Sequence, residues 1–264
     1  MQFWFSDQAR LSSLIVLCAL LWTLESFVPL YGYGRDRLPH AFPNVALAVL
    51  LILMNLALSA GAARLAAAAS RYGVGLFFLV ELPAALKLIL GVAALDFFAY
   101  LAHLLLHKSW LGWQFHRVHH SEKVVDVTTA FRQHPGETVW RVLWQLGAVA
   151  VFGLPLWVVV VYLTLSALNA QLEHANVHLG ERADRVLRLL VVTPNMHKAH
   201  HSRRQVETDT NYSNIFSLWD RLCGTYTPRV NFDELRYGLD GFDGPERQTL
   251  RSLLKLPFVK VEAK

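Results

Sequence analysis

Ten histidines stand in four short boxes: HLLLH (His103, His107), HRVHH (His116, His119, His120), HANVH (His174, His178) and HKAHH (His197, His200, His201). Spacings of three or four residues recur in every box, and on a helix they put side chains on one face, a turn apart. Imidazole is the commonest side-chain metal ligand. A fold that uses these boxes must bring four distant stretches to one place. Ten rings are too many for a single ion, since zinc takes about four ligands. Two ions with about five rings each fit the inventory and leave open positions for oxygen or water. His40 reads as an ordinary loop or core residue. His134, beside Pro135, reads as an outer contact to the ligand set rather than an eleventh ligand.

A hydrolytic zinc site is the alternative use of the same boxes. HLLLH has Leu104 where the general base of an HExxH metalloprotease would stand, and Glu173 precedes His174 instead of following it. A metal or proton transporter is disfavoured, because the histidines cluster at helix ends and not at the middle of several apolar segments.

The setting of the boxes is a membrane. The chain is 54% hydrophobic and only 17% charged, against about 25% charged for soluble domains. Apolar segments run over about 11–31 (with Glu25 facing protein or the interface), 42–60 and 76–106. The spanning part of the last begins near Pro83. The first has no clear cleavage site and is expected to be retained. A fourth apolar stretch, 139–169, is broken at Gly153 and Pro155 and reads as a hairpin of two short helices. If boxes two and three share a site, both its flanks lie on one side of the membrane. The expected fold is therefore all-α: an integral membrane bundle of three spanning helices plus a short hairpin, with a histidine-rich helical cap. Arg35, Arg37 and the basic histidine region put that cap on the cytoplasmic side by the positive-inside rule. The net charge of +5 suits such loops and anionic headgroups, and no motif indicates nucleic acid. Cys18 and Cys223 read as small apolar residues, not as a disulfide framework. The tail from Arg247 onward suits either the membrane surface or solvent.

Asp96, Tyr100, His103 and His107, spaced by four, three and four, form one polar stripe that should face the protein interior. Asp96 is expected either to accept a hydrogen bond from a ligand imidazole or to make a helix–helix contact. Arg132 and Glu137 suggest an ion pair. Asn176 and Asn195 suit contacts to ligands or helix caps. Asp209, Asn211 and Tyr212 should order the loop after the last box, Asp220 and Arg221 should tie the cap, and Trp219 should be a packing anchor. Lys198 and Arg203 suit either a solvated face or attraction of an acidic electron donor.

The ordered boxes, with RQHPGE (Arg132, His134, Pro135, Glu137), TPNMHKAHHS and NYSNIFSLWDRLCGTY, resemble the fatty acid hydroxylase/sterol desaturase superfamily over about Asp96 to Tyr226. That resemblance implies a membrane-embedded di-iron oxygenase whose boxes supply the ligands of two non-haem iron ions. It would use O2 and external electrons to hydroxylate or desaturate a lipid. Zinc would be a misloaded metal in recombinant protein. With no fused haem domain in this sequence, a ferredoxin, a cytochrome b5-like protein or a flavoprotein reductase would act in trans. Acyl-lipid and acyl-CoA desaturases, with three boxes at other intervals, are the nearest alternative. The implied organisation is 1–83 N-terminal helices and linker, 84–228 catalytic region, and 229–264 tail. Sterols, fatty acyl chains, sphingoid bases, ether lipids and carotenoids all stay open as substrates.

Overall fold

The computed structural model describes residues 7–32, 37–227, 232 and 234–260. Its helices are α1 (Asp7–Leu24), α2 (Arg37–Tyr72), α3 (Ala84–Lys108), α4 (Trp110–His120), α5 (Pro135–Phe152), α6 (Leu156–His174), α7 (Glu181–Leu187), α8 (Pro194–His200), α9 (Gln205–Thr208), α10 (Leu218–Leu222) and α11 (Leu250–Lys255). Among the described residues the only extended pairings are two isolated bridges, Pro29 with Val177 and Val191 with Phe216. The all-α expectation holds.

Five long helices form the bundle. α3 packs on α5 and α6, α2 lies along α5, and α1 lies along α6. The core between them joins Phe77, Val92, Leu95, Ala99, Val149, Leu154, Val158 and Tyr162. The turn after α2 and the turn between α5 and α6 meet at one end. There Gly75 and Gly153 sit with φ of 119° and 67°, in the left-handed region that favours glycine. A Cβ built on Gly75 would stand 2.2 Å from the Gly153 nitrogen, and one on Gly153 would stand 2.5 Å from the Val74 carbonyl. Only bare backbone lets these turns touch. The other end of the bundle carries the histidines.

Three stretches are long and apolar enough to cross a membrane: Arg37–Phe78, Ala84–Lys108 and Leu156–His174. The number agrees with the sequence expectation, but the membership differs. The apolar helix Gln8–Leu24 falls short of that length. Just past its end Glu25 turns inward, fully buried, and accepts the backbone N–H groups of Val127 and Asn176, each at 2.8 Å. The hairpin does break at Gly153 and Pro155, yet its arms are helices of 18 and 19 residues rather than short ones. Leu, Ile, Val and Phe side chains on the outer faces of α1, α2 and α3 are exposed, as a lipid environment requires. Arg35, half of the orientation argument, lies outside the described residues. The tail packs on the protein: Leu253 and Leu256 are buried with Leu47, Val118 and Phe242, while Phe258 stays exposed and 261–264 lie outside the described residues.

Candidate metal centre

The histidine end is assembled from helix termini. α3 delivers His103 and His107 from its last two turns. Ser109 then breaks the helix and caps α4, its hydroxyl accepting the Gly112 N–H. Gly112 lets α4 fold back tightly, because a Cβ there would stand 2.7 Å from the Leu105 carbonyl. α4 presents His116, His119 and His120. α6 ends at His174. α8 starts at Pro194 under a Thr193 cap and carries His197 and His200, with His201 just beyond.

Nine imidazoles converge. His103, His107, His116, His120 and His200 form one group, and His119, His174, His197 and His201 form the other; within each group the ligand atoms lie within 4.8 Å of one another. The groups abut, with ring centroids of His120 and His201 4.8 Å apart and of His116 and His119 5.1 Å apart.

Backbone carbonyls fix the tautomers of four of the rings. The Nδ1 of His103 donates to Tyr212 O at 2.8 Å, that of His119 to Arg132 O at 3.2 Å, that of His174 to Ala170 O at 2.6 Å, and that of His200 to Thr210 O at 2.8 Å. A carbonyl can only accept, so in each ring the proton sits on Nδ1 and Nε2 keeps its lone pair. These acceptors are the outer contacts that orient metal-binding histidines.

The Nε2 atoms then face each other. His119 and His174 stand 3.1 Å apart through Nε2, and neither nitrogen has a proton to share. Two lone pairs at that distance repel unless a cation lies between them. His174 also meets His197 at 3.0 Å and His201 at 3.2 Å. In the larger group His116 meets His103 at 3.0 Å and His120 at 3.2 Å. Nitrogens bound about 2.0–2.1 Å from one ion stand about 3.0 Å apart at a right angle and about 3.4 Å apart at the tetrahedral angle. The observed spacings fall within that range, so the donor set fits metal ions.

Electrostatics agree. Burial, with the repulsion of neighbouring imidazoles, pushes His116, His120, His197 and His201 well below the usual histidine range. Burial does the same to His119 and His200. Neutral imidazole is the metal-binding form.

Several residues expected at the site lie elsewhere. His178 is exposed and belongs to neither group. Helix α6 ends at His174, and the extended chain after it turns the His178 N–H to the Val28 carbonyl. Asp96 touches no histidine; its carboxylate accepts the N–H groups of Ile215 and Phe216 and the Trp219 indole N–H, so it anchors the NYSNIFSLWDRL loop. His134 caps α5, accepting the Gly136 N–H, and stacks on Phe115 at 5.2 Å. Asn176 is tied to Tyr31, and Asn195 donates to the Leu179 carbonyl. Arg132 and Glu137 do not pair. Arg132 faces Glu122 at 3.4 Å, while Glu137 binds Arg141 at 2.8 Å. Lys198 is fully buried and donates to the carbonyls of His174 and Ala175; burial pulls it down to about 7. Arg203 pairs with Asp240 and Asp243.

Other residues behave as expected. Asp220 accepts the N–H groups of Tyr212 and Ser213, and Trp219 packs on Phe97.

Sequence reasoning missed the carboxylates that face the rings. Glu137 Oε1 lies 3.0 Å from His116 Nδ1, and Asp209 Oδ1 lies 3.4 Å from His107 Nδ1. Both approaches are too bent for straight hydrogen bonds. Asp209 sits in the loop quoted after the last box, and Glu137 in RQHPGE. No periodicity marked either as a partner of a particular ring.

Helices of membrane-spanning length that carry paired histidine groups at one end define a membrane protein with a polyhistidine centre. A fatty acid hydroxylase family model matches residues 88–225, just over half of the chain, and the chain belongs to that family. The ornithine lipid hydroxylase OlsE of Rhizobium tropici is 33% identical over 146 residues, covering 54% of this chain and 43% of that protein. The alkylglycerol monooxygenase of Caenorhabditis elegans is 27% identical over 146 residues, covering 54% and 28%. That of Xenopus tropicalis is 30% identical over 148 residues, covering 54% and 31%. The matched region thus spans less than half the length of these relatives. No solved structure matches.

Proposed function

We propose that this chain is a membrane-bound di-iron oxygenase that hydroxylates a lipid. The observation that carries the reading is the convergence of nine buried imidazoles into two abutting groups, with the tautomers of His119 and His174 fixed so that their Nε2 lone pairs face each other. A five-ring group exceeds the four ligands zinc ordinarily takes, which favours iron over the hydrolytic alternative. The ligand set is His103, His107, His116, His120 and His200 for one ion and His119, His174, His197 and His201 for the other. When bound, the iron pair supplies O2 chemistry able to attack an unactivated C–H bond.

The protein's own residues do the rest. The carbonyls of Tyr212, Arg132, Ala170 and Thr210 hold the proton of His103, His119, His174 and His200 on Nδ1. Glu137 and Asp209 place negative charge behind His116 and His107. Burial excludes water, and position next to the spans presents the site to lipid. Residues 84–228 form the catalytic region. Electrons come from a separate donor, a ferredoxin, cytochrome b5-like protein or flavoprotein reductase, on the cytoplasmic side. The names of the relatives support hydroxylation over desaturation and a lipid with a polar head.

The test is metal analysis of the purified chain together with lipid analysis of cells carrying or lacking it under ¹⁸O₂. Two irons per chain and heavy oxygen in one lipid class are expected. Oxygen-independent turnover with zinc would refute the reading; zinc content alone would not.

A further inference from the structure

Two spans independently fix the depth of one surface region. On α3, Asp96 stands seven residues before His103, about 10 Å down the helix. Its carboxylate holds Ile215, Phe216 and Trp219. On α6, Ser166 stands eight residues before His174, about 12 Å down. Its hydroxyl accepts from Asn214 at 2.7 Å, and the Asn214 carbonyl accepts from Asn169. The 214–219 turn therefore lies beside the membrane-spanning stretches, well below the histidine end. The chain after α7 is fastened at the same level, since Val191 bridges Phe216 and the Ser217 N–H donates to the Leu190 carbonyl.

What faces outward at this depth is apolar. Val186, Leu189, Leu190 and Leu222 are 65%, 59%, 73% and 69% exposed. Exposed apolar side chains gathered this densely mark an interaction surface. Arg182 and Arg185, exposed on α7 beside the exposed Glu181, leave net positive charge at its edge, complementary to lipid phosphate. The backbone is also suited to low dielectric. The N–H groups of Leu189, Leu190 and Val192 donate to Val186, Leu187 and Ile215 carbonyls, and those of Tyr212 and Ser213 to Asp220.

We infer that residues 181–191 and 214–222 form a shelf inserted into the leaflet on the histidine side. Its leucines enter the hydrocarbon and its arginines reach the phosphates. The inference rests on α3 and α6 crossing the bilayer.

The experiment uses the full chain, one copy per phospholipid nanodisc, with Cys18→Ala and Cys223→Ala. Nitroxide labels are placed singly at Leu190→Cys and Leu222→Cys. Ile89→Cys, on the exposed face of α3, reports the span, and Glu246→Cys, exposed in the cap, reports water. Collision with dissolved O2 is compared with collision with a water-soluble nickel chelate. Labels at 190 and 222 should group with 89, showing an O2-to-nickel ratio several times that at 246. Values matching 246, or exclusion of both reagents by a covering protein surface, would overturn the shelf. An aqueous reading at 89 would instead overturn the membrane placement itself, and the shelf with it.

Discussion

Glu137→Gln tests whether the carboxylate behind His116 tunes the larger histidine group. His116 is the hub of that group, meeting His103 and His120 through Nε2 at 3.0 and 3.2 Å. Glu137 is fully buried. Burial raises its carboxyl above the usual range, and Arg141 at 2.8 Å opposes that rise. The amide keeps the shape and removes the charge. Loss of such an outer partner costs about 10- to 100-fold in metal affinity, or about 1.4 to 2.7 kcal/mol. The bent approach at 3.0 Å argues for the lower half of that range. The assay is metal titration of the apo protein in detergent against a competing chelator. One of two binding steps should weaken and the other should stay in place. Thermal unfolding of the apo variant reports any general loss of structure. Two unmoved steps would refute the argument, and so would equal weakening of both.

Two more predictions follow from the same geometry. His178→Ala should keep both metals and full activity, whereas His174→Ala should lose metal from the four-ring group; metal content per chain decides between them. Glu122→Gln should flatten the acid limb of stability. Burial alone would raise Glu122, but Arg132, His40 and Asn44 pull it down to about 2 from 4.5. A depressed carboxylate contributes stability above its unfolded pKa, and that stability is lost as pH falls from about 4.5 through about 2. The unfolding temperature followed down that window should fall more steeply in the native chain than in the variant.

The polyhistidine site was legible because helical spacing is a local property. His103 with His107, His116 with His120, and His197 with His201 each share a face simply by standing four residues apart. The hairpin break was legible for the same reason, since Gly153 and Pro155 end helices by their own backbone chemistry. What failed was long-range or lay beyond a helix end. HANVH has the right spacing, but only its first residue is helical, so His178 leaves the face that His174 occupies. Asp96 faces inward as its stripe predicts, yet its partner was set by a loop 119 residues onward. Lys198 looked solvated because a lysine usually is; only the meeting of α6 and α8 supplies the carbonyls that bury it.

The division into five and four carries a sharper consequence than the count. In HRVHH, His116 and His120 enter one group and His119 the other; in HKAHH, His197 and His201 enter the second and His200 the first. Each of these boxes gives an i, i+4 pair to one group and a single ring to the other, so on the proposed di-iron reading the two ligand shells interlock through α4 and α8. Neighbours in sequence should therefore serve different ions. His119→Ala and His201→Ala should alter the same iron, and His120→Ala and His200→Ala the other. Mössbauer spectra of ⁵⁷Fe-loaded variants read the two ions separately. If His119→Ala and His120→Ala instead disturbed one common iron and spared the second, the interlocked assignment would fail even with all nine histidines still binding metal.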